Sequence, residues 1–288
     1  MARSTRPSSR PGTSLTLRPH SARLRRRCIA GCWAALLIGW HCHVLAEEQW
    51  DWQAELGGSW QQVTEHDDEG QRLVEETGPA ASVRGSASRN LAGWRFAAGA
   101  GYSSADLNYS GQTQFGAPLE TNTEWRGWHL ESMLEKRLYG PLGLSLGAAL
   151  TWQERRRQIG STTSVMGLKE HYQTGWLELR GAIEPTGFAS VSARAGCAFA
   201  SDVRVTLGPD FDPADVSVKD HCRASLESEL RIRRWNGGLL FLKPYAGWER
   251  YPETESVRLR AAGNGVGRLY LPETEMLSYG ITLGIRRL

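Results

Sequence analysis

Long hydrophobic runs are missing from this 288-residue chain. The longest apolar stretch, Ile29 to Trp40, has twelve residues, well short of the roughly 18 that a helix needs to cross a bilayer. Helical membrane spans are therefore excluded as its organising element. Cysteine is scarce as well. Of five, Cys28, Cys32 and Cys42 lie in the first 46 residues, leaving Cys197 and Cys222. A reactive thiol or metal site at that pair would have only His221 beside it, whereas two cysteines in an oxidising compartment read as one disulfide, Cys197 to Cys222. Acidic residues are absent from positions 1–46, which hold eight of the 34 basic residues. Without that segment 26 basic residues face 31 acidic ones, a net charge of −5. The apparent basicity of the whole chain thus gives no support for nucleic-acid binding.

What the first 46 residues do contain is an ordered set of signals. Arg23, Arg25, Arg26 and Arg27 precede the apolar run, and the small-residue site Val44-Leu45-Ala46 follows it, which is the layout of a secretory signal. Residues 1–46 are expected to be a signal peptide and residues 47–288 one mature domain.

Beyond residue 46 the chain alternates. From Trp52 to Gln62, Trp52, Ala54, Leu56, Gly58 and Trp60 fall on one face, with Gln53, Glu55, Ser59 and Gln61 on the other. That period of two is a strand with one apolar side. Similar segments run over 81–87, 94–103, 128–139, 142–152, 176–183, 189–195, 222–233, 239–250 and 277–285, making ten. Short connections alternate with polar ones expected as surface loops over 65–78, 104–122, 155–168, 201–220 and 251–275. Within the last, short alternating pieces flank Gly263-Asn264-Gly265 and predict a hairpin projecting beyond the membrane.

Apolar faces coupled to charged ones fit lipid outside and a polar lumen inside. The fold expected is all-β, a closed antiparallel up-and-down transmembrane β-barrel of ten strands, with short periplasmic turns and long extracellular loops. Closure is required because an open edge in lipid leaves backbone groups unpaired. Trp52 with Trp60, and Trp94 with Tyr102, lie eight residues apart on one face and suit two interfacial girdles.

The inward face would carry Arg84, Arg95, Glu131, Glu135, Arg137, Glu178, Arg180, Arg194, Arg223, Glu227, Glu229, Arg231, Arg233, Lys243 and Glu249. Such residues predict an ion-pair network filling a narrow lumen; a porin-like channel would use the same types. At Asn236-Gly237-Gly238, parity predicts a three-residue turn that keeps Leu240, Leu242 and Trp248 outward. Pro244 removes a ladder donor, which predicts a bulge there.

The signal segment, the alternating strands and the terminal strand together make residues 47–288 resemble the small Gram-negative outer-membrane barrels, a class of eight to ten strands. That resemblance implies an integral outer-membrane protein, with outer-membrane lipid and the outer-membrane assembly machinery as partners. In that class the last strand usually ends in an aromatic residue; here Tyr279, Ile281, Leu283 and Ile285 keep the alternation, and Arg286, Arg287 and Leu288 depart from it. The ten-stranded proteases of the class, the omptins, carry an acidic pair and an aspartate–histidine pair. Asp67-Asp68 and Asp220-His221 are adjacent residues that alternation points to opposite faces, so no catalytic residue carries over. Asp202, Asp210, Asp212, Asp215 and Asp220 could offer oxygen ligands to calcium, but without the spacing of a calcium loop. The chain is expected to be a non-enzymatic barrel with structural, adhesive or binding surface loops and no cofactor, the alternatives being a narrow passive channel and a barrel-mouth hydrolase.

Overall fold

The computed structural model describes residues 50–112, 117–138, 143–161 and 167–287. The signal segment and the short connection expected between the segments 128–139 and 142–152 lie outside the described residues. Among the described residues thirteen strands follow in chain order: β1 (Asp51–His66), β2 (Arg72–Leu91), β3 (Trp94–Gln112), β4 (Pro118–Arg137), β5 (Ser145–Ile159), β6 (Leu168–Thr186), β7 (Ala189–Leu207), β8 (Ala214–Ser217), β9 (Cys222–Trp235), β10 (Gly238–Tyr251), β11 (Val257–Ala261), β12 (Asn264–Leu269) and β13 (Glu273–Arg287). Ten of them close into one antiparallel up-and-down barrel, β1 to β7 in order, then β9, β10 and β13, which returns to β1. Closure leaves no transmembrane edge, as lipid demands.

Along each wall, outward positions are apolar and exposed. Leu56, Leu179 and Ile281 are 67%, 70% and 53% exposed, fractions that fit contact with lipid tails. Trp60, Tyr102 and Trp128 are exposed near one edge of this belt, and Trp52, Trp94 and Trp235 near the other. Eight residues from Trp52 to Trp60 span about 26 Å of strand. At a tilt of about 40° this is about 20 Å of membrane height.

Above the Trp60 level the strands continue where polar loops were expected. β1 and β2 run on until only residues 67–71 remain between them, β3 and β4 extend across most of 104–122, and β5, β6 and β7 are similarly prolonged. The reason is solvent. Outside the membrane the outward face meets water, so its residues become polar and the apolar alternation disappears while the backbone stays extended. The inward face here becomes the apolar one: Val63, Leu107, Trp125, Tyr172, Val203 and Tyr251 are all at most 5% exposed and pack as one cluster. β8 adds a short pairing to β7 beyond the membrane, and β11–β12 forms the expected projecting hairpin, turning at Ala262-Gly263.

The β9–β10 hairpin differs from expectation in two ways. Its turn has two residues, Asn236-Gly237, because Gly238 pairs with Trp235, and Gly237 supplies the positive φ of 72° that such a turn needs. Parity is restored further up: Leu240 faces Arg233 but Phe241 faces Arg231, so Ile232 is the extra residue of a bulge. Pro244, by contrast, carries no bulge. It pairs in register with Ile281 of β13, and on its other side the ladder to β9 is interrupted at Lys243 and Pro244 and resumes without a slip. The missing donor is absorbed as a gap in one ladder. Inside this end, Phe241 lies fully buried over Gly284, where a Cβ would come within 2.1 Å of its ring.

Candidate functional site

The inward side chains form stacked layers. In the lower half Glu131 bridges two arginines, Arg84 Nη2 at 2.6 Å and Arg194 Nη1 at 2.5 Å. Arg180 holds Glu135 at 2.5 Å, and Arg95 donates to Ser88 Oγ at 3.2 Å. Lys243 pairs with Glu55 at 2.7 Å and reaches Glu227 at 3.7 Å. Glu229 is held by Arg286 at 2.5 Å, and Arg231 bonds Glu184 at 2.5 Å. Arg137 stands at the lower rim, largely exposed and 3.8 Å from Glu184. Arg233 does not line the lumen: the Ile232 bulge turns it to the face of Leu240, where it is exposed.

Midway up, Arg223 grips Glu178 with Nε at 3.0 Å and Nη2 at 2.6 Å, and its guanidinium lies 4.3 Å from the Trp176 ring centroid. Cys197 and Cys222 are joined as a disulfide between β7 and β9. The cross-link sits one residue from His221, so it anchors the point where the chain re-enters the wall.

His221 is 1% exposed and is the centre of the next layer. Its Nε2 is 2.8 Å from Glu249 Oε1 and its Nδ1 is 3.1 Å from Ser201 Oγ. Glu249 is also bound by both terminal nitrogens of Arg155. The neighbour of His221 in the chain, Asp220, takes no part, as adjacency predicts: its φ of +50° ends the preceding segment and it stays exposed.

Higher still, Arg157 sits among three carboxylates, Glu65 at 2.6 Å, Glu76 at 2.6 Å and Glu170 at 3.0 Å. Neutral donors support two of them. Trp125 Nε1 donates to Glu76 at 2.7 Å and Thr123 at 3.0 Å, and Tyr172 donates to Glu170 at 2.7 Å. Tyr172 and Tyr251 hydroxyls meet at 3.1 Å. One guanidinium cannot neutralise three acids, and burial pushes the Glu65 carboxyl up, with Arg157 only partly offsetting it. This layer was missed from sequence because it falls in the segments expected as loops. The pattern Arg155-x-Arg157 opposite Glu170-x-Tyr172 was the available signal.

The loop aspartates are dispersed. Asp215 pairs with Arg204 at 2.8 Å, Asp202 accepts from Ser217 at 2.7 Å, and Asp212 accepts from the Gly263 N–H at 2.9 Å. Asp67 caps its own turn through the N–H groups of Glu69 and Gln71. Among the described residues no group of three or more His, Cys, Asp or Glu side chains is arranged to hold a metal ion.

No protein-family model matches this chain, and no curated protein matches it. Solved structures do. The outer membrane protease OmpT from Escherichia coli superposes with a TM-score of 0.55 at 13% identity, over 85% of this chain and 99% of that one. The translocator domain of the autotransporter NalP from Neisseria meningitidis gives 0.45 at 10% identity, over 93% and 95%. These likenesses concern the fold. The OmpT likeness nevertheless corrects one expectation: a barrel of this build hosts a protease, so the expectation of a non-enzymatic protein, drawn from the lack of a matching catalytic pair, does not stand. With its closed ten-stranded wall, its lipid-facing belt and its aromatic girdles, the chain has the fold of the Gram-negative outer-membrane β-barrels and is an integral protein of that membrane.

Proposed function

We propose that the protein is a closed, non-conducting barrel that holds a rigid β-extension above the membrane for binding at the cell surface. The observation that carries this reading is the layer around Arg157. Its guanidinium, three carboxylates and the rings of Trp125, Tyr172 and Tyr251 are buried together across the lumen. A porin-like channel needs continuous water past this level, and a ten-stranded wall is too narrow to route it around such side chains. The extension above it is well formed: β8 pairs with β7, and Asp212 ties the connection after β7 to the β11–β12 hairpin. Planar-bilayer recording of the purified protein should show no steady unitary conductance; a reproducible open level would overturn the closed-lumen reading. Replacing residues 256–270 by a short turn should then abolish surface binding while leaving the barrel folded.

A second reading is favoured by the contacts of His221. With Nε2–H directed at Glu249, Nδ1 is free to accept the Ser201 proton, the relay that activates a serine nucleophile. Ser201 and His221 are both buried, so hydrolysis at this centre requires the 218–221 segment to move aside. Esterase or peptidase turnover that disappears in Ser201→Ala and in Glu249→Gln supports this reading, and turnover unchanged in both removes it.

A further inference from the structure

Two guanidinium groups stand on the lipid-facing wall and not in the lumen. At the tight-turn end, the periplasmic side of such a barrel, four strands line up in one row. Trp52 of β1 faces Arg287 of β13, Arg287 faces Gly238 of β10, and Gly238 faces Trp235 of β9. The next row toward the membrane centre is Ala54, Ile285, Leu240 and Arg233. Arg287 continues the outward parity of Leu283 and Ile285, and both it and Arg233 are exposed.

Arg233 is outward only because of the bulge at Ile232. Regular alternation would have put it in the lumen with Arg231, and re-aiming a side chain is what a bulge does. Its backbone lies on the hydrocarbon side of the Trp52–Trp235 row, where a cation is costly unless its head reaches the interface. Neither Arg233 nor Arg287 has an acceptor or a ring partner among the described residues, and none of the eight outward positions in the two rows is acidic. Other cations at this end are met. Arg286 points inward and is bound by Glu229 at 2.5 Å, and Lys136 lies 5.0 Å from the Trp94 ring centroid.

The surroundings of the two arginines are those of a membrane interface. The Trp235 ring lies over Gly238, where it leaves no room for a Cβ, and the indole N–H groups of Trp52 and Trp235 have no acceptor among the described residues. Arg233 and Arg287 are two strand spacings apart, about 10 Å, and offset by about 7 Å along the strand. Two extended arginine side chains close that separation on one phosphate group.

We propose that this face binds an anionic glycerophospholipid of the periplasmic leaflet, its phosphodiester held by Arg233 and Arg287 and its glycerol backbone set against the Trp52 and Trp235 rings. The bilayer presents phosphodiesters at the height of the tryptophan row, within reach of both arginines. A zwitterionic headgroup gains less, because this face has no acid to receive its ammonium group. The site belongs to the membrane-embedded wall and is independent of what the mouth binds.

The test folds the full chain in detergent containing equal amounts of phosphatidylglycerol and phosphatidylethanolamine and reads bound lipid by native mass spectrometry. Phosphatidylglycerol should be retained in preference. Arg233→Gln and Arg287→Gln should each lower its retention about fivefold, whereas Lys136→Gln, whose cation is engaged by Trp94, should leave it unchanged. Equal retention of the two lipids, undiminished retention in either arginine variant, or an equal loss in Lys136→Gln overturns the proposal. Glycerol 3-phosphate that displaces phosphatidylglycerol at similar concentration assigns the site to a free phosphate and likewise overturns it. If an arginine variant fails to fold, phenylglyoxal labelling of the unaltered protein decides instead. Phosphatidylglycerol that protects Arg233 and Arg287 relative to Arg260 supports the site, and equal labelling of all three refutes it.

Discussion

The two ends of the lumen use the same residue types for opposite results. At the mouth, Arg157 is surrounded by three carboxylates and packed against Trp125, whose ring centroid lies 5.5 Å from the guanidinium carbon. In the lower lumen basic side chains outnumber acidic ones around about 610 Å³ of space. The difference lies in what fills the cross-section. Aromatic rings pack together at the mouth, whereas extended Arg and Glu side chains reach across the lower lumen in pairs and leave gaps between the pairs. Buried rings make a structural plug; paired long side chains leave space between them.

The largest effect that would break this comparison is expected at Arg157. Arg157→Met leaves Glu65, Glu76 and Glu170 buried without a cation and should cost about 3–5 kcal/mol, read as a large fall in the denaturant midpoint of the detergent-folded barrel. Arg95→Gln in the lower lumen, which removes a bond to Ser88, should cost only about 1 kcal/mol. Equal losses would show that the two regions are not energetically distinct.

Next in size is the disulfide. Cys197→Ser with Cys222→Ser opens a loop of 25 residues, worth about 3 kcal/mol in the chain-entropy model. A loss confined to the 201–221 segment in hydrogen exchange would show that the bond serves the mouth and not the wall.

A pH experiment sharpens the picture of the mouth. The folded pKa of Glu65 is raised, so its protonated form is favoured by folding. Its contribution is present below the unfolded value and is lost as pH rises through the raised one. Glu65→Gln should therefore match the unaltered protein in acid and exceed it in thermal midpoint as pH rises toward neutrality. A variant that is less stable throughout would mean that the Arg157 ion pair outweighs burial.

The smallest effect belongs outside the barrel. Asp215 is held below its ordinary pKa by the Arg204 hydrogen bond, so that pair stabilises above the unfolded value and fades as pH falls. Both partners are mostly exposed, and Asp215→Asn should cost less than about 1 kcal/mol.

Within the membrane the barrel was legible in the sequence because lipid outside and charge inside impose a period of two on every strand. Trp52 to Trp60 and Leu277 to Ile285 announce their outward faces without any knowledge of neighbours. The disulfide was legible from the count alone, since beyond residue 46 the chain holds two cysteines, Cys197 and Cys222. Above the membrane the constraint disappears: Glu75, Thr77 and Ser110 are strand residues facing water, and their composition is that of a loop. The contacts of His221 were not legible from its sequence neighbours, because its partners Ser201 and Glu249 come from β7 and β10.

The sequence by itself determined the alternation, the strand number and which side chains face lipid, because each follows from a local match between residue polarity and medium. The tertiary structure alone decided where the parity slip in the β9–β10 hairpin is absorbed, at Ile232 and not at Pro244, since that depends on the ladders on both sides. It also decided which inward charges meet. Circumferential neighbours such as Arg180 and Arg194 are set by register and closure across the barrel, a long-range property that no single strand records.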